Sequence, residues 1–541
     1  MRALRILAAC LLIAVVAASG TLWPRTASAG SPAASTSTLT AAFHDDFTTL
    51  DPAQGYDPFS WTGEHEIFDT LVGYANKPGV AGTKLVPDLA AALPTVSFHG
   101  KWYTFTLRHD VRFAPPVNRT VTSADIQYSI ERALAKRTAG PMYQSPFWSP
   151  LSGTAAFWNG KAAHIRGIHL LGRFGIQFRL DSPDLAFENV LALPFAAAVP
   201  REIAARDGKR FSDHVVGTGP YRLQSWAHGR QMVLVANPNY FRPGIPHVHR
   251  VVIQFGVDQH LQILRAERDQ LDLPGNLVTS TDYLALRTGS YARQLTPTKD
   301  IGVWYIAMNM QLAPFKGNLA LRRAFNNAID KNHILRLINR RGFTVNGIFP
   351  ATMPGSNPHF SYYKYNPGQA AAELKRAGYT PGQLKLTMLF IESPDTDKVA
   401  DAIQADLGKI GVNLTLKPVS ADTAYSTVYT PGKSVLTLFH WGQDYPDPSD
   451  FVDPILTCSA SSNAAFFCNP RVDRLAGQAR GDTNTARRYA IYRRIENLVM
   501  AAAPWVPLYC DIFYDFHASR VKNFFVHPVW PFLYDQYTLA R

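Results

Sequence analysis

The chain has 541 residues, of which 46% are hydrophobic, 12% aromatic and 18% charged. This composition is typical of a folded globular protein and excludes a mainly disordered or fibrous chain. Because one hydrophobic core stops growing near about 250–300 residues, several domains are expected. Lys and Arg number 54 against 41 Asp and Glu, a net charge of +13. The positive charges are scattered, which argues against nucleic-acid binding through a concentrated basic patch.

The first 29 residues have the three-part layout of a secretory signal peptide. Two arginines precede an apolar stretch at residues 6–18, and Ala27–Ala29 supply the small residues of a cleavage site. A permanent membrane anchor needs about 18–20 continuous apolar residues, more than this stretch has. A lipobox-like sequence ending at Cys10 leaves lipid anchoring as an alternative. We expect export to the periplasm or the exterior of the cell envelope. After the signal peptide, residues 30–42 are predicted to form a flexible spacer.

Three cysteines remain after the expected cleavage. Cys458 and Cys468 flank a Ser/Ala/Asn loop and are predicted to form a disulfide, which an exported protein permits. Their spacing is typical of neither a zinc knuckle nor a redox pair. Cys510 is left over and is expected to be buried. The sequence predicts no metal site and no cofactor.

Short strands alternate with amphipathic helices along the chain. Tyr103, Phe105 and Leu107 alternate with polar residues, as in a half-buried strand. Thr122 opens a predicted helix with Asp125 three residues later, in the pattern of a capping box. Asn366 opens a further predicted helix, which is followed by Gly378. The apolar stripes of these segments are those of core packing, so they predict an α/β architecture.

The sequence contains none of the common catalytic motifs. GxSxG, HExxH, the Walker A loop and GxGxxG are all absent, and Gly217-Thr218-Gly219 runs into a proline as a turn entering a strand would. Asp444, Asp447, Asp450 and Asp453 lie close together, but the interleaved prolines are typical of a loop with turn-forming acids. The chain is therefore predicted not to be an enzyme. A secreted hydrolase is the least supported alternative.

Ordered blocks of sequence match one known family in order and spacing. They are Leu50–Ala53, Leu85–Ala90, Tyr103–Leu134, Val216–Tyr221, Asn237–Tyr240, Arg323–Asp330, Ala377–Tyr379, Trp441–Pro448 and Ala503–Tyr509. Through these blocks the chain resembles bacterial extracellular solute-binding proteins of the peptide/nickel class, family 5. Members of that family are the dipeptide- and oligopeptide-binding components of ABC importers.

The resemblance implies a two-lobed periplasmic-binding-protein fold of α/β class, in the large three-domain variant of type II, with a ligand cleft between the lobes. The implied domain I is discontinuous, over residues 43–75, 200–299 and 508–541. Domain II is placed at 76–199 and domain III at 300–507. We expect a monomer that captures a peptide by hinge closure and delivers it to the transmembrane permease of the importer.

The resemblance also implies the site. The aspartate that holds the peptide ammonium group in the family matches Asp444, and Trp441, Gly442 and Tyr445 share its block. Phe59 and Trp61 border the ligand by family position. From the residues alone, Asp444 has a turn-capping role as its alternative, and Trp441 and Tyr445 are equally interpretable as core aromatics.

One feature departs from the family pattern. Some oligopeptide-binding relatives have an arginine just before the tryptophan, where it binds a peptide carboxylate, but Val435 to His440 contain none. This favours longer peptides or another solute: a nickel chelate, an oligosaccharide or an amine-bearing natural product.

Overall fold

The computed structural model describes residues 37–540, so the predicted signal peptide and residues 30–36 of the predicted spacer lie outside the described residues. The strands are β1 Thr38–Ala42, β2 Val72–Tyr74, β3 Leu85–Pro87, β4 Thr95–Ser97, β5 Trp102–Thr106, β6 Ile168–Leu170, β7 Gly175–Arg179, β8 Tyr221–Ala227, β9 Gln231–Ala236, β10 Arg250–Gln254, β11 Leu273–Pro274, β12 Leu295–Lys299, β13 Gly302–Met308, β14 Gly342–Thr344, β15 Lys385–Ile391, β16 Asn413–Val419, β17 Leu436–Gly442, β18 Trp505–Phe516, β19 Val521–Lys522 and β20 Thr538–Leu539.

The helices follow the amphipathic segments of the sequence. They are α1 Pro58–Ile67, α2 Ser123–Leu134, α3 Thr154–Trp158, α4 Phe187–Val190, α5 Arg201–Asp207, α6 Gln259–Glu267, α7 Ser280–Leu286, α8 Leu319–Ala328, α9 Lys331–Leu337, α10 Pro367–Arg376, α11 Pro394–Lys409, α12 Ala421–Val428, α13 Pro470–Gly481 and α14 Thr485–Ala502. Within residues 37–540, no helix is long and apolar enough to cross a membrane.

The first sheet has five strands in the order β11-β1-β10-β9-β8. Strand β1 pairs in parallel with both β10 and β11. The flexible spacer predicted up to residue 42 is therefore too long, because residues 38–42 form an interior strand. The Ser/Thr-rich composition of this segment favours a spacer, but its last residues form a short strand in which Leu39 and Ala41 are fully buried.

The second sheet has four strands in the order β4-β5-β7-β6 and is antiparallel. Helix α2 follows β5, and its capping box is present: the backbone N–H of Thr122 donates to Asp125 Oδ2 at 2.9 Å. The face of α2 that carries Ile126 and Ile130 is buried in the hydrophobic core. The strand and helix predicted for this segment are both confirmed.

The third sheet has the order β12-β18-β13-β17-β15-β16, with β14 paired to β18. Its central strand β13 is buried on both faces, since Val303 and Tyr305 pack in one core and Ile306 and Met308 in the other. Strand β18 continues to Phe516, pairing with both β12 and β13. The domain boundary predicted between residues 507 and 508 falls inside this strand, which pairs first with β13 and then with β12.

Two local features predicted from the sequence are present. Cys458 and Cys468 form a disulfide, and Cys510 is a buried free cysteine.

Glycine is required at position 217, because a Cβ there would lie 2.0 Å from the carbonyl oxygen of Ile67. This close approach holds the turn that leads into β8 against the end of α1.

Candidate ligand-binding site

A cavity of about 1340 Å³ lies between α1, α12, the ends of β12, β17 and β18, and the segment 526–532. Pockets for small ligands usually measure about 300–1,000 Å³, so this cavity has room for a larger molecule. Many aromatic side chains contribute to its walls, among them Phe43, Phe59, Trp61, Tyr425, Tyr429, Phe439, Trp441, Phe513, Trp530 and Phe532.

The first turn of α1 places Phe59 and Trp61 on the cavity wall. Asp57 caps this helix, and its Oδ1 accepts hydrogen bonds from the backbone N–H groups of Phe59 and Ser60 at 3.0 and 2.9 Å. Proline occupies the first helical position, where its fixed φ favours helix initiation. The indole Nε1 of Trp61 donates to Gly55 O at 3.2 Å, so the loop before the helix is held against its first turn.

Asp444 lies just beyond the end of β17 and lines the cavity. The hydroxyl of Tyr56 donates to its carboxylate, with Oη 3.0 Å from both Oδ1 and Oδ2. Tyr56 also packs edge-on against Phe195, at a ring-centroid distance of 5.5 Å. Residues nearly 400 positions apart in the chain thus meet at this carboxylate.

The environment of Asp444 is enclosed even though its side chain reaches the cavity. Desolvation raises its pKa to about 7, and the hydrogen bond from Tyr56 opposes this rise. Behind it, Asp450 is fully buried and accepts a hydrogen bond from the backbone N–H of Asp444 at 2.9 Å. Asp444 is therefore an acid that gains from a cationic partner, because a cation restores the stability of its charged form.

Two other acids of this loop, Asp447 and Asp453, have arginine partners. The Arg488 guanidinium binds Asp447 through two contacts of 2.6 Å, and the Arg480 guanidinium binds Asp453 at 2.7 and 2.8 Å. Burial raises the pKa of Asp447, but Arg488 outweighs that effect and holds it below the usual value. Among the four aspartates of the loop, Asp444 is the one that lines the cavity.

Trp441 and Gly442 line the cavity, as expected from the sequence, but Tyr445 does not. Tyr445 is 4% exposed and packs against Phe147, 5.9 Å between ring centroids. Its hydroxyl lies 3.3 Å from Ser449 Oγ. The structure thus places the Tyr445 ring in the core, the alternative that the sequence left open, and not on the cavity wall.

Sequence reasoning missed a charged cluster on the cavity wall. Arg341 Nη1 donates to Asp395 Oδ2 at 3.0 Å and to Ser280 Oγ at 2.8 Å, and Lys398 Nζ lies 3.2 Å from Asp395 Oδ1. The cluster carries one net positive charge. Its members come from three separate elements, so no motif in the sequence links them.

A second cluster at the cavity was also missed. Asp300, His440 and Asp511 each offer a ligand atom within 4.8 Å of the others. They already have partners: His440 Nε2 is 3.2 Å from Asp300 Oδ2, and Trp304 Nε1 donates to Asp511 Oδ2 at 2.6 Å. The register of β17, β13 and β18 brings these residues together, which local spacing does not reveal.

Known proteins share the sequence and the fold. The bacterial extracellular solute-binding proteins, family 5, match residues 84–463. Heme-binding protein A of Haemophilus influenzae is 27% identical over 482 residues, covering 86% of this chain and 85% of that protein. Di/tripeptide-binding protein 2 of Pseudomonas aeruginosa is 25% identical over 501 residues, covering 88% and 91%.

A solved structure titled clavulanic acid biosynthesis oligopeptide binding protein 2 superposes with a TM-score of 0.85 at 25% identity, covering 93% of this chain and 95% of that one. The fold is therefore the two-lobed, mixed α/β fold of these binding proteins, as the sequence predicts. The match to the family spans most of the chain and includes the loop that carries Asp444. The chain belongs to the bacterial extracellular solute-binding proteins of family 5.

Proposed function

We propose that this protein captures peptides with a free amino terminus and that Asp444 receives the peptide ammonium group. The observation that carries the proposal is the position of Asp444, whose carboxylate lies at the cavity with the Tyr56 hydroxyl as its side-chain hydrogen-bond donor. An ammonium group at this carboxylate gains a charge-assisted hydrogen bond in a partly desolvated setting.

Two further features support a peptide. The Arg341–Asp395–Lys398 cluster places a net positive charge on the wall, which suits the carboxylate of a peptide. Strand β12 lies at the edge of its sheet, and its last residues Thr298 and Lys299 line the cavity. A free strand edge there offers main-chain groups to an extended peptide, whose side chains then contribute little to recognition.

The remaining parts of the proposal concern the whole molecule. It acts as an exported, non-enzymatic monomer in the periplasm and hands the peptide to the permease of an ABC importer. The lobes close over the ligand because it contacts both of them in the closed form. The first segment (43–75) brings Tyr56 and the 300–507 segment brings Asp444, so their hydrogen bond joins regions that we assign to domains I and III.

The test compares Asp444→Asn with the wild type in thermal unfolding with and without tri-alanine. We expect the peptide to raise the melting temperature of the wild type and to leave that of Asp444→Asn unchanged. Asp482→Asn is the matched control, since Asp482 pairs with Arg487 and does not line this cavity. It should respond to the peptide as the wild type does. An equal response of Asp444→Asn would overturn the assignment of the ammonium site.

A second candidate is a non-peptide solute that carries an amine. Asp444 would bind the ammonium group whether or not a peptide bond follows it, so this residue alone does not distinguish a peptide from another amine. Mass spectrometry of the ligand that co-purifies with the protein separates the two candidates, because a peptide releases amino acids on acid hydrolysis. Recovery of a non-peptide amine would favour this candidate.

A further inference from the structure

A second acid, Asp515, lies at the cavity far from Asp444 in sequence. It belongs to β18 opposite Thr296 of β12, and it lines the cavity together with Phe513. Residues two apart on a strand share a face, so the Asp515 and Phe513 side chains project the same way. Asp515 is 6% exposed, and its Oδ2 is buried without a hydrogen-bond partner in the part of the chain that the structure describes.

In the described part of the chain, the Asp515 carboxylate has no cationic partner. Among residues 37–540 it forms no salt bridge, and desolvation alone raises its pKa to about 7. The negative charge of Asp515 contributes to a raised pKa of the nearby Tyr537. The Tyr537 hydroxyl does not satisfy Asp515, because it donates to the carbonyl oxygen of Phe525 at 3.2 Å. A buried carboxylate without a partner is costly, and buried polar groups are almost always satisfied.

The residues that line the cavity include more aspartates than lysines and arginines. Five aspartates line it (Asp57, Asp300, Asp395, Asp444 and Asp515), against Lys299, Arg341 and Lys398, although the chain carries a net charge of +13. Asp395 is matched by Arg341 and Lys398, Asp300 lies beside His440, and Asp57 caps α1. Asp444 and Asp515 are the two carboxylates that a bound cation would satisfy.

We propose that Asp515 forms a second cation subsite, which selects peptides with a basic side chain in addition to the ammonium group at Asp444. This inference rests on the proposed function and names its ligand class. A lysine ammonium or an arginine guanidinium at Asp515 forms a charge-assisted hydrogen bond with a carboxylate whose Oδ2 has no partner among the described residues. The wild type thus favours a dicationic peptide over a neutral analogue of the same shape.

The experiment measures affinities by calorimetry for tri-alanine and for tripeptides in which arginine replaces each alanine in turn. The matched probes carry citrulline in place of arginine, because citrulline keeps the shape and loses the charge. We expect one arginine peptide to bind the wild type at least about tenfold more tightly than its citrulline counterpart. In Asp515→Asn that preference should fall below about threefold, while the affinity for tri-alanine stays within about threefold of the wild type.

The outcomes separate this inference from the proposed function. If tri-alanine binds and arginine gives no preference at any position, the second subsite is overturned and the proposed function stands. If Asp515→Asn keeps the full preference, Asp515 is not the subsite. If no tripeptide binds, the proposed function fails, and 1,5-diaminopentane becomes the probe. The inference then requires that 1,5-diaminopentane bind Asp515→Asn at least about tenfold more weakly than it binds the wild type. Equal affinity for the two proteins, or no binding to the wild type, overturns the inference.

Discussion

The acids on the two sides of the 444–453 loop differ in what surrounds them. Asp447 lies behind the cavity wall, 8% exposed, and the guanidinium of Arg488 binds both of its oxygens. Asp444 lies on the cavity side and has a tyrosine hydroxyl for a partner, and Asp515 on β18 has an oxygen with none. Arginine holds the pKa of Asp447 below its usual value, whereas desolvation raises the pKa of Asp444 and of Asp515 to about 7.

This contrast distinguishes acids that stabilise the fold from acids that await a ligand. A buried acid with a built-in cation contributes to folding at neutral pH, and loss of that cation is costly. A buried acid without one destabilises the empty protein, and such an acid gains a partner on binding only where it lines the cavity, as Asp444 and Asp515 do. Substitutions at these acids and a change of pH should therefore have opposite effects on the two kinds of acid.

Arg488→Met should cause the largest loss of stability. The substitution keeps much of the side-chain volume and leaves the Asp447 carboxylate buried without its cation, which costs about 3–5 kcal/mol in the free energy of unfolding. Urea unfolding at pH 7 measures the loss. The double variant Asp447→Asn/Arg488→Met is the control and should recover part of it. A loss below about 1 kcal/mol would show that the ion pair contributes little to the stability of the fold.

Asp515→Asn should have the opposite effect and stabilise the empty protein. An Asp whose pKa rises from 3.8 unfolded to about 7 folded binds more protons in the native state, so its cost appears as the pH rises from about 4 to 7. We expect the variant to gain about 2–4 kcal/mol at pH 8 and little at pH 3.5. Urea midpoints at both pH values measure the gain. A destabilised variant at pH 8 would contradict an unsatisfied carboxylate.

The affinity for tri-alanine should depend on pH through Asp444. Protons compete with the peptide ammonium for a carboxylate of pKa about 7, so binding weakens as the pH falls. Between pH 7.5 and pH 5.5 we expect a decrease of about tenfold, together with proton release on binding near pH 6.5. Calorimetry in two buffers of different ionisation enthalpy measures both quantities. An affinity independent of pH over this range would mean that Asp444 does not bind the cation.

Local structure was largely predictable from the sequence. The capping box at Thr122 and the cap at Asn366 lie at helix starts in the structure, because their side-chain hydrogen bonds need only neighbouring residues. The disulfide between Cys458 and Cys468 was predictable for the same reason. Strand β1 was missed because its stability comes from pairing with β10, more than 200 residues away.

The site was predictable only where family resemblance reached it. Asp444, Trp441 and Phe59 line the cavity, whereas Tyr445 is turned into the core, which a pattern of aromatic residues does not distinguish. Arg341 and Asp515 gave no signal in the sequence. Their positions depend on which strands and helices meet at the cavity, and this is settled by tertiary packing alone.

We claim that Asp444 receives the ammonium group of the ligand. The most direct measurement compares tri-alanine with N-acetyl-tri-alanine, each binding to the wild type and to Asp444→Asn. The claim predicts that acetylation weakens binding to the wild type by at least about 2 kcal/mol and has little further effect on the variant, so the two changes are strongly coupled. If acetylation weakens binding equally in both proteins, the ammonium group lies elsewhere and the claim is wrong.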